Sequence, residues 1–454
     1  MLISLNPATN ELITEYPEHT DQQVDQILLQ VQKEAEAWKH TGFAERARLM
    51  NAAAEALRRQ KERLAELMAV EMGKPITGGR AEVEKCAWVC EYYAENAEAF
   101  LAEEVIETDA SRSFVTFQPL GVVLAVMPWN FPLWQVFRFA APTLMAGNGG
   151  VLKHASNVTG CALAIEEIFH LAGFPGNLFR TLKIGSKKVA RVIENPAVKA
   201  VTLTGSVGAG RAVAKTAGAS LKKTVLELGG SDPYVILEDA DLDLAAAACV
   251  NSRLINSGQS CIAAKRFIVV ASVQDAFQDK CVALMSNKKM GDPLEEGTDV
   301  GPQARTDLRD ELHEQVTESI KKGATCLLGG EIPEGAGAWY PPTILKDVKP
   351  GMPAYHDELF GPVAAIIAAK DEAGAIAIAN DSRFGLGAAV FTRDVARGER
   401  IAATELNAGC CFVNSLVKSD PRLPFGGIGE SGYGRELSEF GIKEFVNAKT
   451  VYVK

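Results

Sequence analysis

The chain has 454 residues, 47% of them hydrophobic and 23% charged, with a net charge of −10 at pH 7. That acidic balance lacks the basic face a nucleic-acid binder needs, and the length exceeds what one small core fills. Nine cysteines at irregular spacing do not make a disulfide framework, so reduced thiols and a cytoplasmic location are predicted.

The opening MLISLNPATN lacks the basic and then apolar design of a secretory signal. Val24, Ile27, Leu28, Val31 and Trp38 recur near the helical period, which predicts an amphipathic helix packed on something larger. A long Ala/Leu/Arg/Glu helix is expected next, ending at Gly73 with Pro75 two residues beyond. Cys86 and Cys90 lie four apart on a further amphipathic helix and read as core. Residues 102–118, rich in Val, Thr and Phe, predict an exposed hairpin that needs a partner. The closing KTVYVK alternates like an edge strand, and a subunit interface is a reasonable use for both.

Brief apolar runs bounded by Gly or Pro fill the middle of the chain. Those at 121–127, 150–153, 200–204 and 224–228 alternate with helical stretches at 159–172 and 208–217. Such runs are how strands buried on both faces read, and the alternation predicts a parallel sheet covered by helices. A second series at 233–237, 266–270, 363–369, 388–391 and 411–413 predicts a second α/β domain. Residues 132–147 are the most lipid-like, but Arg138, Pro142 and the short length argue against a membrane span. With no HExxH and no CxxC, a metal site is not predicted.

Four stretches carry chemistry. INSGQSCIAAKRF sets Cys261 after a polar, glycine-containing bend, behind a helix over 242–255 that delivers the loop to a cleft. MPWNFP ends a buried strand at Met127–Pro128 and is expected to open a helix at Pro132. That sends Asn130 into the crevice where open α/β sheets bind ligands. LELGGSDP buries Glu227 among apolar residues, where a carboxylate is paired or raised in pKa toward the range of a general base. VTLTGSVGAG places Gly205 and Ser206 at a strand-to-helix turn able to receive a diphosphate, though its spacing is not GxGxxG. Each alone has a plain alternative: an inert loop cysteine, a helix cap, a buried ion pair, an ordinary turn.

Together with ELFGPV (358–363) and PFGGIGESGYGRE (424–436), these stretches fall in the order and spacing of the aldehyde dehydrogenase superfamily. The chain resembles that family along essentially its whole length, and within it most resembles the short bacterial succinate-semialdehyde dehydrogenases. The resemblance implies two Rossmann-like parallel-sheet domains plus a small β oligomerisation flap. By it, residues 1–100 and 119–228 form a cofactor-binding domain and 229–432 a catalytic domain. Residues 101–118 and 433–454 form the flap and C-terminal strand, in a homodimer or homotetramer. Cys261 resembles the nucleophile, Asn130 with the Cys261 N–H the oxyanion donors, and Glu227 the base that activates water. Met127, Pro128, Trp129, Lys153, Ser156, Gly205, Ser206, Glu358 and Phe360 match cofactor contacts.

Ser156 stands three residues after Lys153, where NAD-preferring relatives often carry a glutamate that repels a 2′-phosphate. NADP is therefore the expected cofactor, with NAD possible. Arg138, eight residues after Asn130 and four after Trp134, matches the arginine that semialdehyde dehydrogenases place for the substrate's distal carboxylate. Its plain alternative is a structural ion pair. The second arginine of human-type relatives is replaced by Ile255, with Arg253 expected to point elsewhere. Ser419, near Lys418 and Arg422, is the candidate substitute. A carboxylate-bearing aldehyde, most simply succinate semialdehyde, is the expected substrate. Another aldehyde or a coenzyme A-acylating reaction are the alternatives, and a non-enzymatic binding protein is disfavoured by the presence of Cys261, Asn130 and Glu227. Ala263 leaves no second cysteine for a local disulfide with Cys261.

Overall fold

The short apolar runs become strands of two largely parallel sheets in the computed structural model, which describes Met1–Lys454; all are inner strands except the last, which edges the second sheet. The first sheet has six strands in the order Gly432–Tyr433, Lys223–Glu227, Val198–Thr204, Val122–Met127, Gly149–His154 and Phe179–Thr181. All neighbours are parallel except the two-residue outer strand, which runs antiparallel to Lys223–Glu227. From Val122–Met127 the chain steps outward on one side, then returns to add strands on the other. The carboxyl end of Val122–Met127 therefore lies at a switch of direction, where a crevice opens. Pro128, Trp129 and Asn130 leave the sheet there.

The second sheet has seven strands: Thr325–Leu328, Thr343–Lys346, Val363–Ala369, Arg266–Val270, Pro233–Ile236, Gly387–Phe391 and Cys410–Val413. Only its first pair is antiparallel. Val, Ile and Ala on both faces of its central strands are buried beneath helices, the arrangement their uninterrupted apolarity requires. No helix is long and apolar enough to cross a membrane.

Two expectations change on contact with the fold, and the helix stop at Gly73 holds. The long second helix is two, Phe43–Arg59 and Lys61–Met72, turned at Gln60 with φ −98° and ψ 8°. No Gly or Pro marks that turn. It keeps Leu64, Ala65, Met68 and Ala69 on the buried face while the chain changes direction. Gly73 ends the second helix at φ 77°, but Pro75 leads directly into the 25-residue helix Ile76–Phe100. Finally, the hairpin and the closing strand are each other's partner. Val446–Val453 pairs antiparallel with Arg112–Pro119 from Val446↔Pro119 to Val453↔Arg112, and Glu104–Val105 lines the other edge.

Candidate active site

The Cys261 loop is shaped by three consecutive left-handed residues. Asp241 caps the helix Leu242–Leu254, after which Asn256, Ser257 and Gly258 adopt φ of 53°, 56° and 78°. Such angles are costly for serine and hold only where surroundings impose them. Here Ser257 Oγ accepts from the Gly301 N–H at 2.9 Å, and the Gln259 side-chain oxygen accepts from Ala304 N–H at 2.8 Å. A Cβ on Gly258 would run into the Gly361 backbone, so glycine serves both the angle and the close approach. Arg253 is fully buried and donates to the Gly258 carbonyl, bracing the loop from below.

Asn130 meets this loop directly. The Asn256 side chain donates to the Asn130 carbonyl at 2.6 Å, and Asn130 Nδ2 donates to the Gln259 carbonyl at 3.1 Å. The helix beyond Asn130 begins at Trp134, not at Pro132. The reason is Glu82, whose Oε1 accepts from both Leu133 and Trp134 N–H groups at 2.9 Å while its other oxygen pairs with the buried Lys74. Glu82 supplies that cap, so the Asn130 amide is not spent on it. The Cys261 N–H also makes no hydrogen bond within the chain.

Glu227 closes its strand with both carboxylate oxygens buried and without a hydrogen-bond partner. Desolvation, followed by the nearby Glu436 carboxylate, holds it well above the usual carboxylate range, while Arg138 opposes the shift. Burial likewise pushes the Cys261 thiol up to about 12, with Lys265 and then Arg138 the cations pulling it back. Glu227 itself lines neither of the cavities that flank Cys261: its Oε1 lies against the backbone of Gly426, on the side of Glu436.

Arg138 does not wait for an external anion. Its guanidinium pairs with Glu436 and lies 4.8 Å from the Phe425 ring centroid, although the residue also lines the cavity on one side of Cys261. Its plain alternative, a structural ion pair, is thus present in the fold. Arg422 is occupied too, by Asp420 at 2.7 Å. Ser419 is buried in the same cavity's wall, with Trp134 nearby.

That cavity, about 520 Å³, contains Lys74, Lys85, Arg138, Lys288 and Lys418 among its lining residues. A second cleft of about 540 Å³ lies beyond Cys261, lined by Pro128, Trp129, Asn130, Gly205, Ser206, Glu358 and Phe360. Cys261 belongs to the walls of both. Trp129 and Phe360 meet edge to face at 5.6 Å, and Gly230 N–H donates to Glu358 at 3.0 Å. A Cβ at Gly229 would collide with the Glu358 carboxylate. Met127 is buried in the strand before this cleft; Lys153 and Ser156 lie on and after the adjacent strand Gly149–His154, outside the cleft's immediate lining.

This two-sided arrangement around a single cysteine can be set beside known proteins. The profile described as the aldehyde dehydrogenase family matches residues 2–451. The chain belongs to the aldehyde dehydrogenase family. Over 452 residues it is 50% identical to a probable succinate-semialdehyde dehydrogenase [NADP(+)] of Synechocystis sp., covering 100% of this chain and 99% of that one. It is 47% identical to the succinate semialdehyde dehydrogenase [NAD(P)+] Sad of Escherichia coli, covering 99% and 97% respectively. The crystal structure of succinic semialdehyde dehydrogenase from Streptococcus pyogenes in complex with NADP+ superimposes with a TM-score of 0.97. That protein is 38% identical, and the match covers 100% of both chains.

A nicotinamide dinucleotide is the cofactor this aldehyde dehydrogenase family implies, and the cleft fits one. Ser206 caps the helix Val207–Ala219 through Ala209 N–H at 3.3 Å, which sets that helix's N-terminus at the cleft. A Cβ on Gly208 would meet nothing within 4 Å, so the turn leaves room above it. Lys153, a buried ammonium whose pKa burial lowers, has no ion-pair partner or hydrogen-bond acceptor within the chain.

Three residues at the site carry no mark in the sequence reading. Lys265 is buried and donates to the carbonyls of Ser260 at 2.7 Å and Cys261 at 2.6 Å, with Glu358 3.4 Å away. A lysine four residues after the cysteine, entering an otherwise apolar strand, is the signal that was available. Glu436 sits inside a quoted motif without an assigned role. Lys85 lies on a helix whose sequence reads only as amphipathic.

Proposed function

We propose that this aldehyde dehydrogenase family member oxidises succinate semialdehyde to succinate, with NADP as the favoured acceptor and NAD as the lesser one. One observation carries the reading: Cys261 stands in the common wall of two cavities, one rich in cations and one built for a dinucleotide. The names of the Synechocystis and Escherichia coli relatives support the substrate, and Ser156 in place of an acidic residue supports NADP.

Cys261 attacks the aldehyde carbon as its thiolate, the thiol proton having passed to water, and the oxygen that gains charge takes hydrogen bonds from the Asn130 amide and the Cys261 N–H. Such donors contribute about 3–4 kcal/mol to the transition state in comparable sites. A nicotinamide held in the second cleft would supply the acceptor for the hydride lost from that carbon. Glu227 then removes a proton from water, which attacks the Cys261 thioester and releases the carboxylate and the thiol. A carboxyl group held above its usual pKa and free of hydrogen-bond partners is suited to receiving that proton. Glu227, turning from its place against Gly426 toward the thioester, favours water over coenzyme A as acceptor.

Pro128, Trp129, Gly205 and Ser206 form the nucleotide side of the site, and Met127 supports it from the strand end. Lys153 and Ser156 would meet the phosphate on the cofactor's ribose, and Glu358 and Phe360 would hold its nicotinamide end. Arg138, Trp134 and Ser419 face the substrate. Residues 1–100 with 119–228 act as the cofactor-binding domain, 229–432 as the catalytic domain, and 101–118 with 433–454 as the flap. The open outer edge of Val446–Val453, with Tyr452 and Val453 exposed, supports a homodimer or homotetramer. Nine free cysteines accord with a reducing, cytoplasmic setting.

Reduced-nicotinamide absorbance over a small aldehyde panel, with each cofactor and with and without coenzyme A, tests the reading. The expected result is the highest kcat/KM for succinate semialdehyde with NADP and succinate as product. Equal rates on uncharged aldehydes, or an acyl-coenzyme A product, would overturn it.

A further inference from the structure

Five cations line the substrate-side cavity, and their partners differ. Lys74 pairs with Glu82, Arg138 with Glu436, and Lys288 with Asp299, each within the chain. Lys418 is exposed to water. Lys85 alone is largely withdrawn from solvent with no carboxylate partner. Its ammonium donates to Ser419 Oγ at 2.8 Å and lies 4.3 Å from the Trp134 ring centroid. Desolvation, and after it the Arg138 charge, brings its pKa down to about 8. An ammonium drawn from water without an anion is unfavourable, and an arriving carboxylate would relieve it.

We infer that Lys85 is the principal anchor for the substrate's distal carboxylate, with Ser419 as its companion. The hydroxyl oxygen of Ser419 already accepts from Lys85, so its own hydrogen is free to point at the second carboxylate oxygen. Arg138, neutralised by Glu436, contributes to the field at longer range and shapes the wall. Specificity for a charged aldehyde thus comes from a residue on the helix Ile76–Phe100, far in sequence from the nucleophile. This inference rests on the reading that the substrate carries a carboxylate.

Kinetics of Lys85→Met and Lys85→Gln with succinate semialdehyde and with butanal, which has a methyl where the other has the carboxylate, test it. The quantity read is the ratio of kcat/KM for the two aldehydes, accompanied by calorimetric titration of succinate. Loss of a charge-assisted hydrogen bond predicts a fall in that ratio of about 10- to 100-fold, carried by KM for succinate semialdehyde. Succinate binding should weaken in parallel, and Lys85→Arg should restore part of both. A wild-type preference that persists in the folded variant, or equal losses on both aldehydes with unchanged succinate binding, overturns the assignment of Lys85. Absence of any preference in the wild-type enzyme overturns the carboxylate-substrate reading itself. Two uncharged variants are specified so that a failure of one to fold leaves the other to decide.

Discussion

The two cavities that meet at Cys261 are built from different materials. The substrate side is walled by ionised side chains matched against each other: Lys74 with Glu82, Arg138 with Glu436, Lys288 with Asp299. The dinucleotide side sets Gly205, Gly208 and Gly229 and a helix N-terminus at Ser206 beside a mainly acidic group, Glu311, Asp357 and Glu358, with Arg383 as its cation. Paired charges fix which small molecule fits, because any unbalanced ion is costly in a dry cavity. Backbone N–H groups and glycines accept a ligand whose shape is constant. Substitution should therefore be punished on the first side through stability and substrate choice, and on the second through cofactor affinity.

The strongest test removes what the sides share. Cys261→Ser is expected to lower turnover by at least about 10⁴-fold while leaving cofactor binding measurable by fluorescence titration. Glu227→Gln should reduce steady-state turnover by about 10²- to 10⁴-fold yet leave a burst of reduced nicotinamide equal to the enzyme present, visible in stopped flow. The same variant has a stability signature. Burial raises the folded-state pKa of Glu227 above its ordinary value of 4.5, so the unfolded chain holds fewer protons between the two values and wild-type stability falls as pH rises there. Glu227→Gln should thus gain Tm relative to wild type with increasing pH and lose that advantage below about pH 4.5.

Arg138→Ala probes the paired-charge side. Leaving Glu436 buried beside Glu227 without its cation should cost about 3–5 kcal/mol in chemical denaturation. If stability is unchanged, charge matching is not what shapes that wall. On the other side, Ser156→Glu should lower kcat/KM for NADP by about tenfold or more relative to NAD, through like-charge repulsion. Ser206→Ala, which removes only a helix cap, should cost about 1 kcal/mol of stability and raise the NADP Kd modestly. A large stability loss from Ser206→Ala would blur the contrast between the two sides.

Much of the framework was readable because its signals are local. Uninterrupted apolar runs located most inner strands within a residue or two, as with 121–127 against Val122–Met127 and 266–270 against Arg266–Val270, but missed the inner strand Thr343–Lys346 and the edges Phe179–Thr181 and Thr325–Leu328. Asn130, Glu227 and Cys261 stood out because polar groups at strand ends or glycine turns violate the pattern around them. What the sequence hid are pairings between distant segments. Lys85 meets Ser419 across 334 positions, and Arg138 finds Glu436, neither of which any window of neighbours encodes. The turn at Gln60 was hidden for the opposite reason: glutamine suits a helix interior, and only tertiary packing breaks the helix there.

The crossing of the strand Gly432–Tyr433 into the six-stranded sheet limits how far this enzyme can be treated as modular. That strand arrives from beyond the seven-stranded sheet, bringing Glu436 to Arg138, and its neighbourhood is tied back by the Tyr93 hydroxyl to the Ser438 carbonyl. The unit around the six-stranded sheet, expressed by itself, would keep most of that sheet but lack an edge strand and hold an orphaned guanidinium in its interior. Swapping that unit between relatives would require transplanting this returning segment with it.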